Sequence, residues 1–179
     1  MPLTVQNLEQ LQAEHPDWQF EFWDGEIIIM SPSDAISGEI GSQFGRLLGN
    51  WVYPRRLGRV FDASTGFKMP DGKTLSPDVA FVSAERLKQT PRSYAELVPD
   101  LVAEIKSSTD SLTRQKARIQ EFLNHGARCG VLINPDQRNV TLYNPNGEST
   151  LLTDGETLLI PEILPGWELA ISELCPLVF

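Results

Sequence analysis

Two stretches of this chain hold residues whose types and spacing suit metal-ion chemistry: SPDVAFVS (Ser76 to Ser83) and PDLVAEIKSS (Pro99 to Ser108). In the second, strand alternation predicts Val102, Glu104 and Lys106 on one face and Leu101, Ala103 and Ile105 on the other. A carboxylate and an ammonium two residues apart, in a strand otherwise apolar enough to be central, need a reason. Burying a charge is costly unless it is paired or bound to a metal. In the first stretch Pro77 lacks a ladder donor. It predicts a strand start or bulge that aims Asp78 sideways. Asp78 and Glu104 on neighbouring strands would then suit a hard divalent cation such as Mg²⁺, which prefers oxygen ligands. A second reading leaves Glu104 and Lys106 as a partly exposed ion pair on an edge strand, with Asp78 a turn residue.

Two helices supply further candidates. Residues 111–124 place Leu112, Gln115, Lys116, Ile119 and Leu123 on one side, so Gln115 and Lys116 point inward just after the Glu104 strand. Alternatively, their stems lie over the core with the polar ends in water. Residues 34–52 form the longest amphipathic helix, with Ile36, Ile40, Phe44, Leu47, Leu48 and Trp51 on one face. Glu39 flanks that stripe, either near the metal site or in solvent, with Gln43 and Arg46 beside it.

The remaining elements must position these residues. Residues 4–14 read as a helix. Phe20–Trp23 and Glu26–Met30 read as strands joined at Asp24-Gly25, a hairpin signal. Short strands follow near Val60 and Phe67, and a turn at Pro70-Asp71-Gly72 leads into Leu75–Val82. A short helix is expected near Ala84–Lys88, then the strand Leu101–Ser107 and the helix ended by Gly126. Gly130–Ile133, Asn139–Tyr143 and Thr150–Leu152 read as strands, and the apolar, turn-rich tail is expected to pack on the body. No repeat or linker divides the chain, so a single domain over residues 1–179 is expected.

Composition narrows the function classes. Of 179 residues, 41% are apolar and 22% charged, ordinary globular usage. No apolar run reaches bilayer-spanning length and the N-terminus lacks a basic cluster before an apolar stretch, so no membrane association and no secretory leader are expected. Cys129 and Cys175 lack CxxC spacing and read as small buried hydrophobes, consistent with a reducing cytoplasm. The net charge is −9, yet all 15 basic residues fall in residues 31–138 against 12 acids, a local excess of +3. A phosphate-bearing partner must therefore meet the middle of the chain, where Arg46, Arg55, Arg56 and Arg59 cluster. His15 and His125 have no acid at useful spacing. No GxSxG, P-loop or dinucleotide fingerprint occurs.

Asp78 followed by Glu104-Ile105-Lys106 resembles the PD-(D/E)XK pattern of the nuclease superfamily. More narrowly, the chain from about residue 18 onward is similar to the bacterial restriction-endonuclease-like family once catalogued as a domain of unknown function. DGEIIIMSP, STGFKMPDGKTLSPDVAFV, PDLVAEIKSSTDSL, QKARIQEFLNHGAR and GVLINP carry that likeness. It implies an α/β fold of the restriction-endonuclease-like kind, a mixed sheet flanked by helices. It also implies Mg²⁺- or Mn²⁺-dependent endonuclease hydrolysis of DNA; a rival reading is a phosphodiesterase for RNA or a small nucleotide. The alternative is a catalytically silent nuclease-like module that binds nucleic acid or a protein partner. By the same resemblance Asp78 and Glu104 bind the metal, with the Ile105 carbonyl as a third ligand. Lys106 would position or activate the attacking water and offset charge on the phosphate. Glu39 matches a helix acid of some superfamily members, and Gln115 or Lys116 the supporting polar residue. A homodimer is expected, since duplex-cutting nucleases often present two sites and the tail from Ile160 to Phe179 offers apolar surface.

Overall fold

Asp24 and Gly25 both take left-handed conformations (φ 51° and 80°), the turn that matches the twist of a two-residue hairpin. They join β1 (Gln19–Trp23) to β2 (Glu26–Met30) in antiparallel register, Trp23 opposite Glu26. In the computed structural model, which describes residues 3–176, α1 (Val5–Glu14) precedes this hairpin. The hairpin extends through β5 (Thr74–Leu75) to β4 (Phe67–Lys68) in a four-stranded sheet of order β2-β1-β5-β4.

The larger sheet holds the central strands. Its members are β3 (Gly58–Asp62), β6 (Val79–Ser83), β7 (Leu101–Ile105), β8 (Cys129–Asn134), β9 (Asn139–Tyr143) and β10 (Ser149–Thr153), in order β10-β9-β8-β7-β6-β3. Only β7 and β8 run parallel, and α3 (Leu112–Asn124) connects them. A parallel pair needs such a crossover, because a tight turn can only reverse the chain. The sheet is therefore mixed, and β7 is interior.

Helices cover both faces. On one, α2 (Ala35–Val52) lays Ile40, Phe44, Leu48 and Val52 against Leu101, Ala103 and Ile105. On the other, Ile119, Phe122 and Leu123 of α3 pack on Val102 and Leu132. Alternation along β7 thus divides its residues between two cores, as its sequence predicts. Gly130 permits the close approach of α3 to β8, since a Cβ there would clash with Ile119 Cγ2.

Four details differ from expectation. Residues 84–88 form a single turn and no helix. The Arg86 and Leu87 N–H groups donate to Ser83 O, and Arg59 takes the Leu87 and Lys88 carbonyls that a further turn would need. The expected strand Leu75–Val82 is divided at Ser76-Pro77-Asp78, its two parts entering different sheets. The Glu104 strand stops at Ile105, two residues short of Ser107. The tail packs on the body as expected, but for that reason it is not the free apolar interface surface expected of it: Ile160, Leu164, Trp167, Leu169, Ile171 and Leu174 lie in the α2-side core. Its β12 (Glu168–Ala170) pairs antiparallel with β11 (Thr157–Leu159), which immediately precedes it. Leu177 to Phe179 lie outside the described residues. Among those described, no helix is long and apolar enough to cross a membrane.

Candidate active site

The break at Pro77 leaves Asp78 at the mouth of β6, directly beside the end of β7. Its Oδ2 accepts the Ile105 backbone N–H at 2.7 Å. One strand over, Glu104 is buried on the α3 face of β7. Asp78 and Glu104 both line a cleft of about 200 Å³. One wall of it is the chain from Ile28 to Asp34, leading out of the hairpin. The other comes from Ser107, Asp110, Arg114, Gln115 and Arg118 before and along α3.

Behind Glu104 lies an ion triad. The Arg118 Nε donates to Glu104 Oε1 at 3.1 Å, and its two terminal nitrogens donate to Glu21 Oε2 and Oε1 at 2.5 and 2.9 Å. Arg118 also donates to Ser76 O at 3.0 Å, while Glu21 Oε1 accepts the Ser76 N–H at 2.8 Å. All three side chains are buried, so two carboxyl groups compete for one guanidinium. Burial pushes the Glu104 carboxyl up to about 8 against the pull of Arg118. Asp78 is also raised, by burial first and further by the charge of Asp110. Among the described residues no protein donor meets Asp78 Oδ1 or Glu104 Oε2.

The sequence profile of the Uma2 family, described as "Putative restriction endonuclease", matches residues 5–172. The chain belongs to this family. No curated protein matches it. Among solved structures it is similar to "a putative nuclease belonging to DUF820" from Anabaena variabilis, at 24% identity, 97% of each chain covered and a TM-score of 0.84. That likeness establishes the fold, a mixed sheet flanked by helices. A DrdV–DNA complex also matches, at 14% identity over 95% of this chain and 13% of the other, with a TM-score of 0.45. That value is too low to support any comparison.

In this Uma2 chain the cleft gathers some of the expected site residues and omits others. Asp78, Glu104, Ile105 and Gln115 line it. The Ile105 side chain packs in the α2-side core, so only its backbone is available to the cleft. Lys106 does not join them. Past the strand end its N–H bonds Ile133 O. Its Nζ lies 2.7 Å from Asp136 Oδ2 and 3.1 Å from Ser107 O, in a neighbouring crevice. The turn after β8 brings Asp136 there, and opposite charge draws the lysine out of the register that alternation predicts. Glu104 is accordingly neither on an edge strand nor paired with Lys106. Lys116 is exposed, because the buried stripe of α3 centres on Gln115, Arg118, Ile119 and Phe122. Glu39 is also exposed. The side of α2 that faces Asp78 presents Gly38, Gly41, Ser42 and Gly45 along an adjoining groove of about 530 Å³.

Residue patterning does not reveal Glu21 and Arg118 as part of the site. Arg118 lies three residues after Gln115 and one before Ile119, so an arginine inside the apolar stripe of α3 is the available signal. Glu21 offers less: flanked by Phe20 and Phe22, it reads as the solvent side of a half-buried strand. The expected arginine cluster is largely committed to the protein. Arg46 bonds Gln43, Arg55 stacks 3.4 Å over Trp51, and Arg59 holds two carbonyls. Asp71, Glu121 and His125 form another group of possible ligands, all within 4.8 Å. Lys73 Nζ is 2.9 Å from Asp71 and 2.5 Å from Glu121, so an ammonium already serves those carboxylates.

Proposed function

We propose that this protein is a metal-dependent endonuclease that hydrolyses phosphodiester bonds of DNA, with Mg²⁺ or Mn²⁺ in the Asp78–Glu104 cleft. One observation carries the reading. Two carboxylates from adjacent strands meet in one cleft, and each has an oxygen that no described protein donor takes. That donor set, all oxygen, fits a hard cation. Asp78, Glu104 and the Ile105 carbonyl would hold it. When bound, the metal lowers the pKa of its water and polarises the phosphoryl oxygens.

The chain's own groups divide the remaining work. Arg118 has its Nε on Glu104 and both terminal nitrogens on Glu21, so it is a positioning residue that fixes the Glu104 rotamer. Arg114, exposed at the cleft and without a protein partner among the described residues, is placed to meet a phosphate. Lys106 would offset charge on the scissile phosphate after exchanging Asp136 for it. That exchange costs little, because the Asp136 side of the pair is open to water and such a pair is worth about 1 kcal/mol. Two strands of a duplex call for two sites, so the assembly is a homodimer. Light scattering that gives a monomer at micromolar concentration refutes that part.

The test is plasmid cleavage in Mg²⁺ and Mn²⁺ by wild type and Glu104→Gln, with calorimetric Mn²⁺ titration of both. Cleavage and binding are expected in wild type and lost in the variant. A specific observation favours a second reading, a catalytically silent nucleic-acid- or protein-binding module: Lys106 is engaged outside the cleft. Folded wild type that neither binds Mn²⁺ nor cuts would establish that reading instead.

A further inference from the structure

We propose that the edge of β10 is the interface between two copies of this chain, paired antiparallel about a two-fold axis at Thr150. The two six-stranded sheets would then continue as one. This rests on the homodimer of the reading above and says which surface forms it. β10 is an edge strand, and its sequence, Ser-Thr-Leu-Leu-Thr, carries no charge and no proline. Edge strands ordinarily carry such residues to block pairing. Leu151 is 57% exposed, and only Leu152 of the strand is partly covered. The opposite edge of the sheet is closed by contrast. There the Tyr53 hydroxyl accepts the Val60 N–H at 3.2 Å and donates to the Val60 carbonyl at 3.1 Å.

Hydrogen-bond parity identifies the free groups. The Asn144 N–H donates to Glu148 O at 2.9 Å, and bonded pairs alternate along an antiparallel ladder. Leu142–Thr150 and Val140–Leu152 are therefore the bonded pairs with β9, so Ser149, Leu151 and Thr153 direct their backbone groups outward. Thr153 is already committed: its N–H donates to Glu156 Oε2 at 2.7 Å, and its carbonyl accepts the Glu156 N–H at 3.0 Å. Ser149 and Leu151 have no partner on that side among the described residues. Their free groups lie symmetrically about Thr150, so an identical antiparallel strand satisfies them reciprocally, the mark of a two-fold contact. Each Ser149 meets the partner's Leu151 and all four N–H groups find a carbonyl. An axis at Leu151 would instead set Ser149 against the committed Thr153 and Glu148 against the partner's Asp154. With the axis at Thr150, Glu148 faces the partner's Leu152. The bordering acids are held within their own chain, Glu148 by Asn146 at 2.9 Å and Asp154 by Arg138 at 2.8 Å. The two exposed Leu151 side chains come together diagonally across the axis, within contact range.

Cross-linking and sedimentation of the full chain test this. At the axis the two Thr150 residues form a non-hydrogen-bonded pair, with Cα atoms about 4.5 Å apart and within disulfide range. Under mild oxidation Thr150→Cys should run as a covalent dimer on a non-reducing gel, while wild type and Thr153→Cys should not. Thr150→Lys sets two ammonium groups face to face and should raise the dimer dissociation constant by about tenfold or more. Thr150 is exposed and three strands from β7, so Mn²⁺ binding at the cleft should be unchanged in that variant. Wild type that sediments as a monomer at micromolar concentration refutes the interface and the homodimer together. A wild-type dimer that Thr150→Lys leaves intact, or that Thr150→Cys fails to cross-link, refutes β10 as the interface and leaves the homodimer standing.

Discussion

The Ile105 backbone N–H donates to Asp78 Oδ2 at 2.7 Å, so one of the cleft's own carboxylates clamps β6 to the end of β7. Asp78 is thereby both a structural acceptor and a candidate ligand, and the two roles separate by substitution. Asp78→Asn keeps an acceptor and should melt close to wild type, whereas Asp78→Ala leaves a buried N–H unpaired and should lose about 1–3 kcal/mol. Mn²⁺ affinity should fall sharply in both. Thermal melting beside metal titration checks this, and a destabilised Asp78→Asn would show that charge, not hydrogen bonding, holds the strands.

Arg118 and Lys106 should respond unequally to truncation. Arg118→Met strands two buried carboxylates and should cost about 3–5 kcal/mol. Lys106→Ala breaks the pair with Asp136, whose side chain is 64% exposed, and the bond to Ser107 O, and should cost about 1–2 kcal/mol. Under the proposed function, Lys106→Ala keeps Mn²⁺ affinity but cuts plasmid DNA on the order of 10²-fold more slowly. Unchanged cleavage would remove Lys106 from the chemistry.

Asp34 caps α2, accepting the Ser37 N–H at 2.9 Å and the Ser108 N–H at 2.6 Å. These two backbone bonds lower its carboxyl from 3.8 to about 2. A pKa depressed in the folded state means stability that is complete above the unfolded value and lost as pH falls through the folded one. Wild type should therefore lose this contribution between about pH 4 and pH 2. Asp34→Ala should lower stability near neutrality by about 1 kcal/mol and show a shallower acid dependence in melts across that window. Parallel pH curves for the two proteins would contradict the assignment.

Gly130→Ala should act at a distance on the cleft. The new methyl meets Ile119 and forces α3 away from β8, at a cost of about 1–3 kcal/mol. Because α3 carries Gln115 and Arg118, Mn²⁺ affinity should fall with stability. A variant with lower melting temperature and unchanged affinity would uncouple the helix from the site.

Local chemistry makes several of these features legible in the sequence alone. Asp24-Gly25 dictates its turn because few residue pairs tolerate two left-handed conformations. Pro77 marks the strand break that aims Asp78, and the Leu101–Ile105 alternation puts Glu104 with Val102 on the face opposite Leu101, Ala103 and Ile105. The triad of Glu21, Glu104 and Arg118 is another matter. Glu21 and Arg118 are 97 residues apart, and no local periodicity says that a carboxylate on β1 turns inward to meet an arginine on α3. Lys106 shows the same limit at short range. Alternation holds only while the strand lasts, and one residue beyond Ile105 the nearest counter-charge, Asp136 from the turn after β8, decides where the side chain goes. Glu39 and Lys116 are exposed because burial on a helix depends on which neighbour covers it. Residue type and spacing named the carboxylates; the packing of α3 and the hairpin against β7 decided which charges accompany them.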